Sequence, residues 1–150
     1  MIIEKALESD IEEILALQKL AYISEAEIYN DFSIQPLLQT YEEAIEEYKN
    51  KIILKAIVDG KIIGSVRGHE QEGTCNIGKL MVHPDFRNKR IGTSLLNEIE
   101  KYFKICKRFE LYTGKKSVKN IYLYCKLGYD IFKEVKVSDE FTFVYLEKNI

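Results

Sequence analysis

The chain of 150 residues has no tryptophan, two prolines, two histidines and three cysteines. Each shortage argues against a class of protein. Cys75, Cys106 and Cys125 are odd in number and widely spaced, with no C-x-x-C pair and no ligand spacing to His69 or His83. That pattern speaks against a disulfide scaffold and a zinc site, so no metal is expected. There is no internal repeat, low-complexity tract or linker rich in Pro, Gly or Ser, which predicts one domain over residues 1–150. No apolar run approaches the ~18 residues of a membrane span, and the opening MIIEKALESD has no secretory hydrophobic region. A cytoplasmic protein with no membrane partner is the resulting expectation. A dominant charge is also missing. The 22 Lys+Arg and 24 Asp+Glu leave a formal charge of −2, without the basic excess that marks nucleic-acid binding.

What is present is the composition of a soluble globular domain, 46% hydrophobic and 31% charged. A chain of this length buries about 68–70% of its unfolded surface and needs no covalent staple. Ile2–Ala6 reads as a strand. Ser9 or Asp10 caps a helix with Ile11, Ile14, Leu15, Leu17 and Leu20 at the helical period. The segment Ile23–Pro36 reads as a loop or short irregular helix. Thr40 and Glu43 form a capping box that starts a helix to about Tyr48. Two strands, Ile52–Val58 and Lys61–Arg67, flank Asp59-Gly60, a strong hairpin signal. Cys75–His83 is a third strand, stopped by Pro84. Thr93–Lys104 is helical, with Leu95, Leu96, Ile99, Tyr102 and Phe103 on its apolar side. Phe109–Thr113 is a strand, Ser117–Leu127 a helix, and Ile131–Val137 with Phe141–Leu146 a final strand pair. This order predicts an α/β (α+β) fold, a mixed sheet with helices on both faces.

The stretch after Leu80 concentrates the chemistry. A buried strand, Leu80-Met81-Val82, leads through Pro84 into Arg87-Asn88-Lys89-Arg90-Ile91-Gly92-Thr93 and an amphipathic helix. A helix start exposes N–H groups without intrahelical acceptors and carries the positive end of the dipole. With three cations and a glycine that permits close approach, the loop suits phosphate oxygens. It has neither G-x-x-x-x-G-K-[ST] nor G-x-G-x-x-G, which disfavours a P-loop or dinucleotide site. A solvated basic helix start is the competing reading of the loop alone.

Val82 to Leu96 resembles V-x-P-x-x-[RQ]-x-x-G-x-G-x-x-L-L, the pyrophosphate signature of GCN5-related N-acetyltransferases (GNAT). Ser117 to Tyr129 is similar to the same family's N-x-x-A-x-x-L-Y-x-K-x-G-F. The resemblance implies the GNAT acyl-CoA N-acyltransferase fold, acetyl-CoA as co-substrate and a primary amine as acceptor, in a monomer or homodimer. It implies cofactor contacts at Leu80, Met81, Val82, Arg87, Asn88, Lys89, Arg90, Ile91, Gly92 and Thr93, with Ser117 and Asn120 further on. Arg90 stands where the first loop glycine is usual, so an ordinary backbone conformation is expected there. Ser117 replaces the usual Asn and Asn120 the usual Ala. Ser117 also suits a helix N-cap, and Asn120 could supply the missing amide.

The family resemblance implies direct attack by the amine on the thioester, with Tyr124 protonating the departing thiolate. A phenol with a pKa near ~10 keeps that proton at neutral pH. Some members carry a glutamate as base where this chain has Asn76, so the base stays unassigned. Glu25, Glu27 and Tyr29 are candidate contacts for a cationic amine. A non-catalytic acyl-CoA sensor is the alternative function.

Overall fold

Two tight turns set the register of the first half of the sheet. Asp59-Gly60 has φ of 51° and 75°, the left-handed pair that a two-residue hairpin requires. It joins β2 (Ile52–Val58) to β3 (Lys61–Gln71). Glu72-Gly73 repeats the geometry, at 52° and 83°, and joins β3 to β4 (Thr74–Val82). The sequence reading stops β3 at Arg67. The second turn carries both strands further, because Gly73 takes the positive φ at little cost.

The computed structural model describes Met1 to Ile150. It contains one seven-stranded sheet in the order β1-β2-β3-β4-β5-β7-β6. The remaining strands are β1 (Ile2–Lys5), β5 (Arg108–Gly114), β6 (Asp130–Ser138) and β7 (Phe141–Asn149). All neighbours pair antiparallel except β4 and β5, which are parallel. The mixed sheet expected from the element order is therefore present. The helices are α1 (Ile11–Ala21), α2 (Ile23–Tyr29), α3 (Gln35–Leu38), α4 (Tyr41–Asn50), α5 (Ile91–Lys101) and α6 (Val118–Lys126).

One face of the sheet carries α5 and α6 over a core that includes Leu54, Val66, Leu95, Ile99, Leu111 and Leu146. Burying each of these side chains contributes roughly 1.5–3 kcal/mol. Helix α5 comes close because β3 presents glycines beneath it. A Cβ on Gly64 would lie 2.9 Å from Leu95, and one on Gly68 would lie 2.9 Å from Phe103 and 3.1 Å from Ile99. The other face carries α1 and α4 over Ile14, Leu17, Ala44, Ile53, Ile62 and Met81. On that face the β5–β7–β6 half shows an aromatic cluster, with Phe143 edge-on to Tyr112 at 5.0 Å and Tyr145 tilted against it at 5.2 Å.

Three expectations change. Residues 23–36 hold two short helices, α2 and α3, and Asn30 ends α2 in a left-handed cap at φ 50°, a common helix stop. Leu20 and Tyr102 are exposed rather than on apolar faces. Tyr102 lies past the last regular turn of α5, and the buried stripe of α1 runs through Gln18 instead of Leu20.

Gln18 is buried because it serves a polar cluster between α1, α4 and β3. Arg67 of β3 is 1% exposed. Its Nη2 donates to Gln18 Oε1 at 2.8 Å and its Nη1 to Gln39 Oε1 at 3.4 Å. Nη1 also lies 3.0 Å from Glu47 Oε2 of α4. Glu47 further pairs with Lys79 at 2.8 Å and Lys51 at 3.3 Å. Burial pushes the Glu47 carboxyl up, but the Arg67 and Lys79 charges outweigh it and hold it at about 2.

Gly68→Val is expected to destabilise the fold by about 2 kcal/mol through overpacking against α5. Gly78→Ala, with nothing within 4 Å of its Cβ, should stay within about 0.5 kcal/mol of the parent. Urea unfolding measures both. The lowered folded-state value of Glu47 gives stability that is complete above its ordinary carboxylate range and lost as pH falls from about 5 toward 2. Glu47→Gln should cost about 3 kcal/mol at neutral pH and flatten that acid limb, read by unfolding at stepped pH.

Candidate functional site

Strands β4 and β5 pair only at Thr74–Arg108, Cys75–Phe109 and Asn76–Glu110. Beyond them β5 continues on β7 alone, and β4 on β3 alone. The cause lies in β4. Ile77 packs with the α5 face, but so do Leu80 and Val82, while Met81 packs with the α1 face. The side-chain alternation therefore shifts by one residue near Lys79, which sits at φ 51° opposite a register break in β3. This is a β-bulge, which bends a strand and ends its pairing. Leu80, Met81 and Val82 consequently offer one free backbone edge to the gap.

The loop after β4 closes the α5 side of that gap. Arg87, Asn88, Lys89 and Arg90 are all exposed. The first intrahelical bond of α5 runs from Ser94 N to Arg90 O, so the N–H groups of Ile91, Gly92 and Thr93 precede it and are free. Arg90 caps the helix at φ 62° and ψ 21°. This corrects the expected ordinary conformation: the loop shape demands the left-handed region, and arginine adopts it at a cost of order 1–3 kcal/mol. Asn88 does the same at φ 63°. Gly92 faces Leu123 of α6 and Leu80 of β4, with room for a Cβ at 3.5 and 4.0 Å. Arg87 is directed elsewhere. Its Nη2 donates to Ala21 O at 2.8 Å, where a cation suits the C-terminus of α1. Lys89 lies 5.5 Å over the Phe86 ring. None of the three cations forms an ion pair in the chain. His83 accepts from Asp85 N at 3.1 Å, a turn contact.

Helix α6 forms the opposite wall. Tyr124 is buried on its inner side. Burial, with the Glu25 charge adding, pushes its phenol above the ordinary value, so the proton is firmly held. The chain offers its hydroxyl no hydrogen-bond partner, yet it is not sealed off: Arg67 Nε is the lone buried side-chain polar atom without one. Ser117 and Asn120 turn toward α2. Ser117 Oγ donates to Glu25 Oε2 at 2.6 Å, and Asn120 Nδ2 donates to Glu25 Oε1 at 3.0 Å. Tyr29 Oη lies 2.8 Å from Ser117 Oγ and accepts from Lys116 N at 3.1 Å. Its ring packs against Gly114, where a Cβ would meet Tyr29 Oη at 1.9 Å. Helix α2 is thus fastened across the gap, through Glu25 and Tyr29. Glu27 is exposed and stands apart from this group.

Sequence reasoning misses the floor of the gap on the α1 side. Tyr22, between α1 and α2, has its phenol raised by burial first. Tyr124 and Glu25 add to the shift and Arg67 opposes it. The charges or dipoles of all three act on this one hydroxyl. Lys79 enters from the bulge on the same side, joined to Glu47. One signal was available: Arg67 is a cation inside the apolar strand pattern of IIGSVRG. No group of three or more His, Cys, Asp or Glu side chains comes together, and no helix is long and apolar enough to cross a membrane.

The profile of the Acetyltransferase (GNAT) family matches residues 11–129, well over half of the chain. The UPF0157 protein YqkA of Bacillus subtilis (strain 168) is 29% identical over 132 residues, covering 84% of this chain. The chain spans 36% of the length of that relative. The PaiA N-acetyltransferase of Thermoplasma acidophilum, in complex with coenzyme A, has the same fold at a TM-score of 0.80, with 18% identity and full coverage of both chains. YncA of Salmonella typhimurium, with its cofactor acetyl-CoA, aligns at 0.78 with 15% identity, over 99% of this chain and 93% of that one. Profile, strand order and the open β4 edge lead to one conclusion: the chain belongs to the GNAT acetyltransferase family.

Proposed function

We infer that the chain is an acetyl-CoA-dependent N-acetyltransferase that passes the acetyl group to a primary amine by direct attack in a ternary complex. The observation that carries this reading is the convergence of three features on one gap: the free edge of β4, the uncapped start of α5, and Tyr124. The residues fit coenzyme A. Free N–H groups at Ile91, Gly92 and Thr93 suit pyrophosphate oxygens, with Lys89 and Arg90 unpaired beside them. The edge at Leu80–Val82 can take an extended amide arm as an added strand.

When bound, the thioester supplies an activated acyl group; the chain's residues do the rest. A backbone N–H of the β4 edge donates to the thioester oxygen, where negative charge develops during attack. Tyr124, protonated and without a competing partner, donates to the departing sulfur. Glu25, held by Ser117 and Asn120, places negative charge where an incoming ammonium is attracted, and the proton that the ammonium sheds before attack passes to bulk water. Ser117 and Asn120 support this role first, and they can turn to the cofactor only by releasing Glu25. The three cysteines are all free, which supports a reducing compartment such as the cytoplasm.

Tyr124→Phe is expected to lower kcat about 100-fold while leaving the KM for acetyl-CoA within about twofold. Unchanged kcat would remove the proton-donor role. Gly92→Asp puts a carboxylate beside the free N–H groups, and its Cβ meets Leu123 and Leu80 at ordinary contact distances of 3.5 and 4.0 Å. It should weaken coenzyme A binding by tenfold or more while the protein stays folded, as calorimetry and circular dichroism can show. Undiminished affinity would place the pyrophosphate elsewhere. Binding of acetyl-CoA without thiol release across an amine panel would favour the sensor reading.

A further inference from the structure

On the α4 side of the gap, three cations gather at one carboxylate. Lys79, Arg67 and Lys51 share one carboxylate, that of Glu47. Arg67 is sealed from solvent, and the Lys79 and Glu47 side chains are only 16% and 17% exposed. Charges with so little access to water carry a desolvation cost, and a single shared counter-ion offsets it only in part. The Arg67 guanidinium also keeps a buried Nε without a partner. Lys79, unlike Arg67, reaches solvent, so an anion from the open side would meet the cluster at Lys79.

Geometry says where that anion would sit. The bulge turns Lys79 to the α4 side of β4, one residue before the free edge at Leu80. The Nζ of Lys79 spends one donor on Glu47 and has two more. Lys79 lies three residues beyond Asn76, the last residue of β4 paired to β5, so it stands on the stretch of β4 that borders the gap. Glu25 is held on the other wall of the gap by Ser117 and Asn120 of the α6 region, and Asn120 in turn contacts Thr113 of β5 at 3.3 Å. The gap therefore has a positive end at Lys79 and a negative end at Glu25.

We propose that the acceptor is a zwitterion of the α-amino-acid class, whose carboxylate is received by Lys79 over the buried Arg67–Glu47 pair while its amine faces Glu25 and Tyr124. The proposal rests on the acyl-transfer reading above and names the substrate class of that site. It adds to the cationic contact expected at α2 a second contact, on the β4 wall, for the acceptor's carboxylate.

The test compares the twenty common L-amino acids with their primary amides as acceptors. The amide's amine is less basic and so more available at neutral pH, which means that a preference for the acid cannot come from reactivity. The wild-type protein should use at least one free acid about tenfold better in kcat/KM than its amide. Lys79→Met should raise the KM for that acid about tenfold, with the KM values for the amide and for acetyl-CoA unchanged, and Lys79→Arg should restore it. Equal use of acids and amides, or equal loss on both in Lys79→Met, overturns the proposal while the acetyltransferase reading stands. If no acceptor is acetylated, the transfer reading fails and the carboxylate site is read by binding. Thermal shift of the coenzyme A-loaded protein with the same acids should then rise in wild type and not in Lys79→Met. No shift with any acid overturns the proposal.

Discussion

Three residue pairs of parallel sheet hold β4 to β5, and the site exists because the pairing stops there. A strand edge left open inside a sheet exposes unpaired N–H and C=O groups, which a fold tolerates only where something else is to pair with them. The bulge at Lys79 does two things in one step. It ends the pairing with β5, and it reverses which face each following side chain meets. Leu80 and Val82 thereby join the α5 core, while Lys79 and Met81 turn to the α1 side. The same local break creates the free strand edge and places a cation on the α1 side.

The remaining features keep that gap from closing or drifting. Gly64 and Gly68 let α5 settle against β3, which fixes the start of α5 beside the free edge. Arg87 ties the loop before α5 to the end of α1, and Glu25 with Tyr29 ties α2 to the start of α6. These contacts span large distances in sequence, so the two halves of the sheet are joined over the gap by side chains rather than by strand pairing. The Arg67–Glu47–Lys79 cluster is the polar counterpart in the α1 layer. Its charge imbalance is a local departure from the well-matched core around it, the kind of departure expected at a functional site.

Legibility in the sequence followed the range of the interactions. The hairpin at Asp59-Gly60, the capping box at Thr40 and Glu43, and the stripe of Leu95, Leu96 and Ile99 are short-range features, and each element was readable. The GNAT resemblance was readable because its motif residues lie within two short stretches. The left-handed conformation of Arg90 is not legible, because side-chain identity is a weak guide to φ when a loop must meet a helix. The extra length of β3 was hidden because Glu72-Gly73 is a weaker turn signal than Asp-Gly. The bulge left no mark in the sequence, since a lysine at position 79 fits an ordinary alternating strand. The grouping of residues 22, 25, 67, 79 and 124 could not be seen at all, because it depends on packing between four separate elements. For the same reason the link from Ser117 and Asn120 to Glu25, far away in the chain, carries no signal in the sequence.

The central claim is that acyl-coenzyme A binds in the gap between β4 and β5. The most direct measurement is an amide-resolved NMR titration of the labelled protein with coenzyme A. The account predicts that the large shifts fall on Leu80–Val82, on residues 88–93 and on the start of α6, with Ile91, Gly92 and Thr93 among the strongest. Shifts concentrated on another surface, or a β4 edge that does not respond while coenzyme A binds, would contradict it.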